Sequence, residues 1–165
     1  MNVTLMNAIS IDGFIAKPDG DSDWVKDDEQ FDAALVDFGC ILIGHSTFTQ
    51  YENDLYPIEG ATTFVYTHDK TLTNTEGVQY VFGEPKDVLE QIQAAGFDKV
   101  LLGGGGKANA SFAKAGLITD MILDVHPLVL GDGIRLLCDF DRQLKLELQS
   151  KQDFTDFVQL RYNVQ

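Results

Sequence analysis

Gly103, Gly104, Gly105 and Gly106 follow directly on the apolar run Lys99-Val100-Leu101-Leu102, and a helical stretch is expected just beyond, over about 108–115. Glycines let a backbone approach a ligand closely and adopt positive φ. The bare N–H groups of a helix start carry partial positive charge and can hold a phosphate. Pyrophosphate anchorage is therefore the chemistry this spacing offers; the plainer alternative is a tight strand-to-helix connection. The pattern is not the dinucleotide fingerprint G-x-G-x-x-G. Asn109 stands where a third glycine is needed, and no acidic residue lies at the usual distance for a ribose. A second corner of the same form runs from Cys40-Ile41-Leu42-Ile43 through Gly44 into His45, Ser46 and Thr47. Ser46 or Thr47 is expected to cap a short helix reaching about Tyr51. Two such corners in one parallel sheet would share its carboxyl end, where open α/β sheets bind ligands.

A third stretch, Ser10-Ile11-Asp12-Gly13-Phe14-Ile15-Ala16, leads into a turn-rich loop at 17–23 and then Trp24, the only tryptophan. A glycine-containing loop after a first strand suits a lid; the alternative is a surface loop with Trp24 as its anchor. His45, His68 and His126 lie far apart, with no helical pair spacing for a metal. There is no G-x-S-x-G elbow and no Cys–His pair for covalent catalysis. Cys40 and Cys138 are expected to be reduced, buried, small hydrophobes.

The elements that must position these residues alternate. Residues 3–9 suit a buried strand. Over 27–37 the apolar Phe31, Ala34, Leu35 and Phe38 recur at helical steps, with acidic residues in the first turn. Strands are expected at 40–43, 62–67, 78–82, 99–102 and 120–125. A helix with apolar Val88, Leu89, Ile92 and Ala95 should open at Pro85 and stop at Gly96. Residues 144–149 and 157–162 alternate apolar and polar, as antiparallel strands with one wetter face do. This order predicts an α/β domain over 1–165 with a mostly parallel sheet closed by an antiparallel hairpin.

Bulk composition narrows the function. At 165 residues and 44% apolar, with 11 Phe, the chain can build one core without disulfide or metal. A net charge of -14 argues against a nucleic-acid partner or an anionic membrane surface. No signal peptide is evident at the amino end and no apolar run spans a bilayer, so a cytoplasmic protein is expected.

Taken in order, S-I-D-G-F-I-A, G-H-S-T-F, L-L-G-G-G-G and H-P-L-V-L-G-D-G-I-R-L-L make the chain resemble the RibD C-terminal domain family. That family comprises the bacterial riboflavin-pathway reductases and their stand-alone relatives. The resemblance spans nearly the whole chain. It implies a three-layer α/β/α dihydrofolate-reductase-like fold, NADPH as cofactor (NADH as the alternative) and a homodimer. It implies hydride transfer to a small heterocycle, as in 5-amino-6-(5-phosphoribosylamino)uracil reductase or dihydrofolate reductase. Gly44, Ser46 and Thr47 would face the cofactor's phosphates and ribose, and Gly103, Gly104, Gly105 and Gly106 its pyrophosphate. Ala8, Ile15 and Ala16 would lie near the nicotinamide, with His45, Thr67, His68 and Lys107 completing the cofactor site. Trp24 and Phe31 would face substrate. Asp12 belongs to the S-x-D-G signature, as a catalytic or turn-shaping residue. Asp28 falls near the acidic residue of dihydrofolate reductases and is the candidate proton donor, or simply a residue that favours the helix start.

Two departures from the family bear on the cofactor. His45 stands where arginine is usual, and His68 where a basic residue often follows the strand. Arginine binds a 2′-phosphate bidentately and is always charged; histidine is the weaker partner at neutral pH. Lys70 could partly compensate. These losses keep open a non-catalytic nucleotide-binding module, and more distantly a flavin-binding reductase.

Overall fold

A computed structural model describes residues 1–26 and 29–165. Asp28, and with it the proton-donor expectation, lies outside the described residues. The chain opens with β1 (Asn2–Ser10) and β2 (Phe14–Ala16), followed by α1 (Glu29–Phe38), β3 (Cys40–Gly44) and α2 (His45–Tyr51). Next come β4 (Thr62–Tyr66), β5 (Val78–Val81), α3 (Pro85–Ala94), β6 (Lys99–Gly104) and α4 (Gly106–Lys114). The last elements are β7 (Asp120–His126), β8 (Ile134–Arg135), β9 (Leu146–Asp153) and β10 (Val158–Val164).

Eight of the strands form one sheet in the order β5-β4-β3-β6-β1-β7-β10-β9. β5 through β7 run parallel, while β10 pairs antiparallel with both β7 and β9. This is the dihydrofolate-reductase-like architecture, with β1 near the middle because its run Val3 to Met6 is buried on both faces. One face carries Met6, Ile41, Ile43, Leu101 and Ile122 against Leu35 of α1 and Phe48 of α2. The other carries Leu5, Leu42, Leu102 and Met121 against Val88 and Ile92 of α3 and Phe112 of α4. Each fully buried Leu, Ile or Phe contributes roughly 1.5–3 kcal/mol, so these two apolar layers hold the sheet ends that build the site. Among the described residues, no helix is long and apolar enough to cross a membrane.

The structure corrects several sequence expectations. β6 runs two residues further than its apolar stretch, through Gly103 and Gly104, and α4 starts at Gly106. Ser46 and Thr47 do not cap α2; Gly44 occupies the N-cap and Ser46 and Thr47 lie inside the first turn. The final hairpin is longer and later than the alternation suggested, and β9 is exposed on both faces rather than one. As an edge strand it has a neighbour on one side only. Cys138 is half-buried. Cys40 is fully buried, and burial pushes its thiol up to about 12, which leaves it unreactive.

Candidate functional site

Two cavities open where the parallel strands end. The first, about 440 Å³, is walled by Asn7 and Ala8 of β1, Ile15 and Ala16 of β2, Phe31 of α1, and Gly103, Gly104 and Gly105. The second, about 650 Å³, is walled by Gly44, His45, Ser46, Thr67, His68, Asp69, Gly106 and Lys107, among others. Thr47, Gln50, Gly105 and Ile134 belong to both walls, so the compartments share a border. A hollow of about 540 Å³ lies at the other end of the strands, around Asn2, Asp98 and Asp120; it carries neither glycine corner.

The border exists because the two corners meet. A β-carbon on Gly105 would stand 2.7 Å from Thr47 Oγ1, and one on Gly44 would stand 3.7 Å from the Gly105 nitrogen. Gly105 has φ -69° and ψ -179°, which any residue can adopt, and the Thr47 hydroxyl is what a side chain there would meet. Gly104 differs: its φ of +119° needs glycine whatever the space. Gly106 is packed against the Arg135 carbonyl and Cys138 Sγ, where a β-carbon would collide. Just beyond it, the first amides of α4 lack intrahelical acceptors.

Side-chain amides hold this corner to β1. Asn7 Nδ2 donates to the Gly103 carbonyl at 3.0 Å. Asn109, fully buried, donates from Nδ2 to Asn7 Oδ1 at 2.9 Å and to the Leu136 carbonyl at 3.1 Å. The residue that broke the glycine fingerprint thus ties three segments together.

A strap closes the first compartment. Gly20, Ser22, Val25 and Lys26 line it. Tyr51 OH donates to the Gly20 carbonyl at 2.9 Å and pairs with Ser22 Oγ at 2.8 Å. Lys17 draws the strap together through Asp21 at 3.1 Å and Asp23 at 2.7 Å. Its ammonium is held above its ordinary value by Asp23 first and Asp21 second.

Asp124 also lines this compartment although it is only 1% exposed. It sits beside Ala8 in the register of β7 and β1. Gln159 Nε2 donates to its Oδ1 at 2.9 Å, and Arg161 Nε donates to Gln159 Oε1 at 2.9 Å. Burying a carboxylate costs several kcal/mol before hydrogen bonds offset it. Sequence reasoning passed over this residue. The signal was present: an acidic residue inside the otherwise apolar run Met121-Ile122-Leu123-Asp124-Val125, a run expected to be a strand.

The other expected site residues divide. Ala8, Ile15, Ala16, Phe31 and three of the glycines come together around the first compartment; Gly44, His45, Ser46, Thr47, Thr67, His68 and Lys107 come together around the second. Trp24 does not line either. It packs edge-on against His126, with ring centroids 5.3 Å apart. Asp12 does not line them either. It accepts Ser10 Oγ at 2.6 Å on Oδ1, Leu130 N at 3.1 Å on Oδ1 and Gly131 N at 2.7 Å on Oδ2. Its carboxylate clamps two loops, and the Ser10 hydroxyl, aided by those amides, lowers its pKa to about 2. In the second compartment, Asp69 accepts Thr71 N at 2.9 Å and Thr71 Oγ1 at 2.6 Å, which hold its carboxyl below the usual range.

A mostly parallel sheet with paired compartments at one end and a strapped first loop defines a dihydrofolate-reductase-like domain. Residues 55–160 match the RibD C-terminal domain, and the chain belongs to that family. It is 28% identical to the uncharacterized protein YwjB of Bacillus subtilis (strain 168), over 94% of this chain and 93% of that one. A candidate riboflavin biosynthesis protein of Shewanella sp. PV-4 has the same fold with a TM-score of 0.85 at 24% identity, covering 100% of this chain and 99% of that one. Dihydrofolate reductase of Enterococcus faecalis, complexed with NADP(H) and RAB-propyl, aligns with a TM-score of 0.68 at 15% identity, over 99% and 96% of the two chains.

Proposed function

We propose that this protein is an NAD(P)H-dependent reductase of a small planar heterocycle. One observation carries the reading: two compartments meet at a neck formed by Thr47, Gln50, Gly105 and Ile134. A dinucleotide has that form, two ring-bearing halves joined by a pyrophosphate. The residues suit it. Gly105 leaves the neck clear of a β-carbon that would press on Thr47, and the adjacent α4 amides favour an anion. In a chain of net charge -14, oriented amides are an economical anion site.

Within this reading the nicotinamide half lies in the first compartment beside Ala8, Ile15 and Ala16, and the adenosine half beside His45, Thr67 and His68. A bound nicotinamide dinucleotide supplies the hydride when the domain turns over. The protein's own part is to hold the acceptor ring between apolar walls, to exclude water with the strap over 17–26, and to fix the corner through Asn7 and Asn109. NADPH is the preferred cofactor, with Lys107 and the two histidines as its cationic or polar partners, and NADH the alternative. Two copies are expected to associate, since β9 leaves Leu146 and Leu148 exposed on an edge strand; light scattering tests this.

The test of the function is thermal unfolding in buffer, NADPH, NADH and FAD, followed by loss of 340 nm absorbance with a panel of pterins and aminopyrimidines. A shift with NADPH and turnover on one ring supports the reading. No shift with either nicotinamide cofactor overturns it. A shift without turnover on any ring favours a nucleotide-binding module instead, a reading that His45 and His68 in place of firmer cationic partners keep in view.

A further inference from the structure

We infer that the first compartment admits a heterocycle that carries no phosphate, a neutral or cationic ring, and that Glu29 and Asp32 at the start of α1 set this preference. The inference deepens the reductase reading and rests on it for the ring's role as hydride acceptor. It starts from a difference between two helix starts. α1 faces the first compartment through Phe31 and Asp32, and α4 faces the second through Gly106 and Lys107. A helix start attracts anions through its free amides. The first turn of α4 has no acidic residue, and Lys107 adds a positive charge there. The first turn of α1 holds Glu29 and Asp32. Their carboxylates already compensate the partial positive charge of that end. A phosphate there would meet like charge where a helix start otherwise attracts it.

The surroundings have the same sign. Residues 17–32 carry seven acidic side chains against two lysines. One of the two, Lys17, is engaged by Asp21 at 3.1 Å and Asp23 at 2.7 Å. The other, Lys26, lines the first compartment together with Asp32 and the buried Asp124. Neutral donors of this wall already have acceptors: Tyr51 OH donates to the Gly20 carbonyl at 2.9 Å and Asn7 Nδ2 to the Gly103 carbonyl at 3.0 Å. The second compartment differs, with Lys107, His45 and His68 lining it against Asp69. A phosphate monoester brings a charge of about -1.5 to -2 at neutral pH. Salt screens charges only beyond about 8–10 Å, so the acids of the strap and of α1 act on whatever enters the first compartment. The two halves of the site therefore differ in sign: one holds the anionic dinucleotide, and the other turns away phosphate esters that would compete for the acceptor's place.

The experiment reads the field first and the choice of acceptor second. NMR relaxation of backbone amides is measured with a cationic and an anionic nitroxide of the same size, at Ile15, Ser22 and Val25 in the first compartment and at Ser46, His68 and Lys107 in the second. A net charge of -14 favours the cationic probe everywhere, so the comparison is between compartments. The ratio of cationic to anionic effect should be at least twofold higher in the first. Glu29→Lys/Asp32→Lys should bring it down to the level of the second compartment, whose own ratio stays nearly unchanged. Equal ratios in wild type, or a higher one in the second compartment, overturn the inference, and do so even if the double variant fails to fold. A folded double variant with the wild-type ratio overturns it as well. Any ring reduced with NADPH should then lose at least tenfold in kcat/KM when its riboside is replaced by the riboside 5′-phosphate; a preference for the phosphate overturns the inference. If the ratios differ as expected and no ring is reduced, the reductase reading fails while the bias against phosphate stands. If rings are reduced and the ratios are equal, the inference fails and the reductase reading stands.

Discussion

Thr47 and Gly105 meet across the neck of the site: the hydroxyl of one lies 2.7 Å from where a β-carbon of the other would be. The first comes from the start of α2 and the second from the N-cap of α4. Two strand-to-helix corners, 58 residues apart in the chain (105 minus 47), thus form one surface.

Gly105→Ala should therefore press on the Thr47 hydroxyl, while φ and ψ at this position themselves suit alanine. Overpacking costs about 1–3 kcal/mol, and in a domain of this size 1 kcal/mol moves Tm by about 2–4 °C. A fall in Tm of about 2–12 °C is expected. The Tm rise that NADPH produces in the parent should be lost or greatly reduced. Adding Thr47→Ala removes the opposing hydroxyl and should restore at least half of the lost Tm. Calorimetry of the single and double variants checks this; independent, additive losses would exclude the contact.

His45→Arg tests the cofactor side. His45 lines the second compartment and packs edge-on near Tyr80, with centroids 6.4 Å apart. A guanidinium there is permanently charged and offers paired donors to a 2′-phosphate. NADPH affinity should rise about tenfold, the equivalent of about 1.4 kcal/mol, with NADH affinity nearly unchanged. Fluorescence titration of both cofactors decides it. An equal gain for both would mean that the position senses net charge and not the 2′-phosphate.

Much of this fold was legible because its strands are short apolar runs with turn residues between them. Cys40 to Ile43 and Val100 to Leu102 read as buried strands and are. The corner glycines were legible as corners. Their division of labour was not: Gly104 serves by its φ, Gly105 by its contact with Thr47, and Gly106 by its packing against the 135–138 segment. Those are long-range facts that local spacing does not encode. Asn109 illustrates the same limit. It reads as a failed glycine, yet it binds Asn7, 102 positions away. Ser46 and Thr47 looked like caps because local propensity favours them; the sheet corner placed Gly44 there instead. Asp124 was the missed clue, since an acidic residue between the buried Leu123 and the half-buried Val125 needs a reason that tertiary structure must supply.

Asp12 gives a prediction in pH. Its carboxyl is lowered from 3.8 to about 2, chiefly by the Ser10 hydroxyl. Between about pH 4 and pH 2 the unfolded chain takes up a proton that the folded chain resists. The stability this clamp contributes is therefore complete above about pH 4 and falls as pH drops toward 2. Asp12→Asn lacks that titration. The urea midpoint of wild type should exceed that of Asp12→Asn near neutral pH, and the gap should narrow from pH 4 to pH 2. Equilibrium unfolding at several pH values measures it. A constant gap across that range would show that the clamp's charge plays no part.

Tyr51 tests whether the strap and α2 move as one body. Its hydroxyl donates to the Gly20 carbonyl at 2.9 Å and pairs with Ser22 Oγ at 2.8 Å. Tyr51→Phe keeps the ring and removes only the hydroxyl. A hydrogen bond of this kind contributes about 0.5–1.5 kcal/mol, so global Tm should fall by only a few degrees. The larger effect should be local. Amide hydrogen exchange over 17–26 should quicken about tenfold while β3 and β6 exchange as before, because opening the strap exposes little of the core. NADPH should slow exchange in wild type more than in Tyr51→Phe, since in the proposed reading the strap lies over the compartment that takes the nicotinamide. If exchange quickens equally across the sheet, the hydroxyl stabilises the whole fold and the strap has no opening of its own.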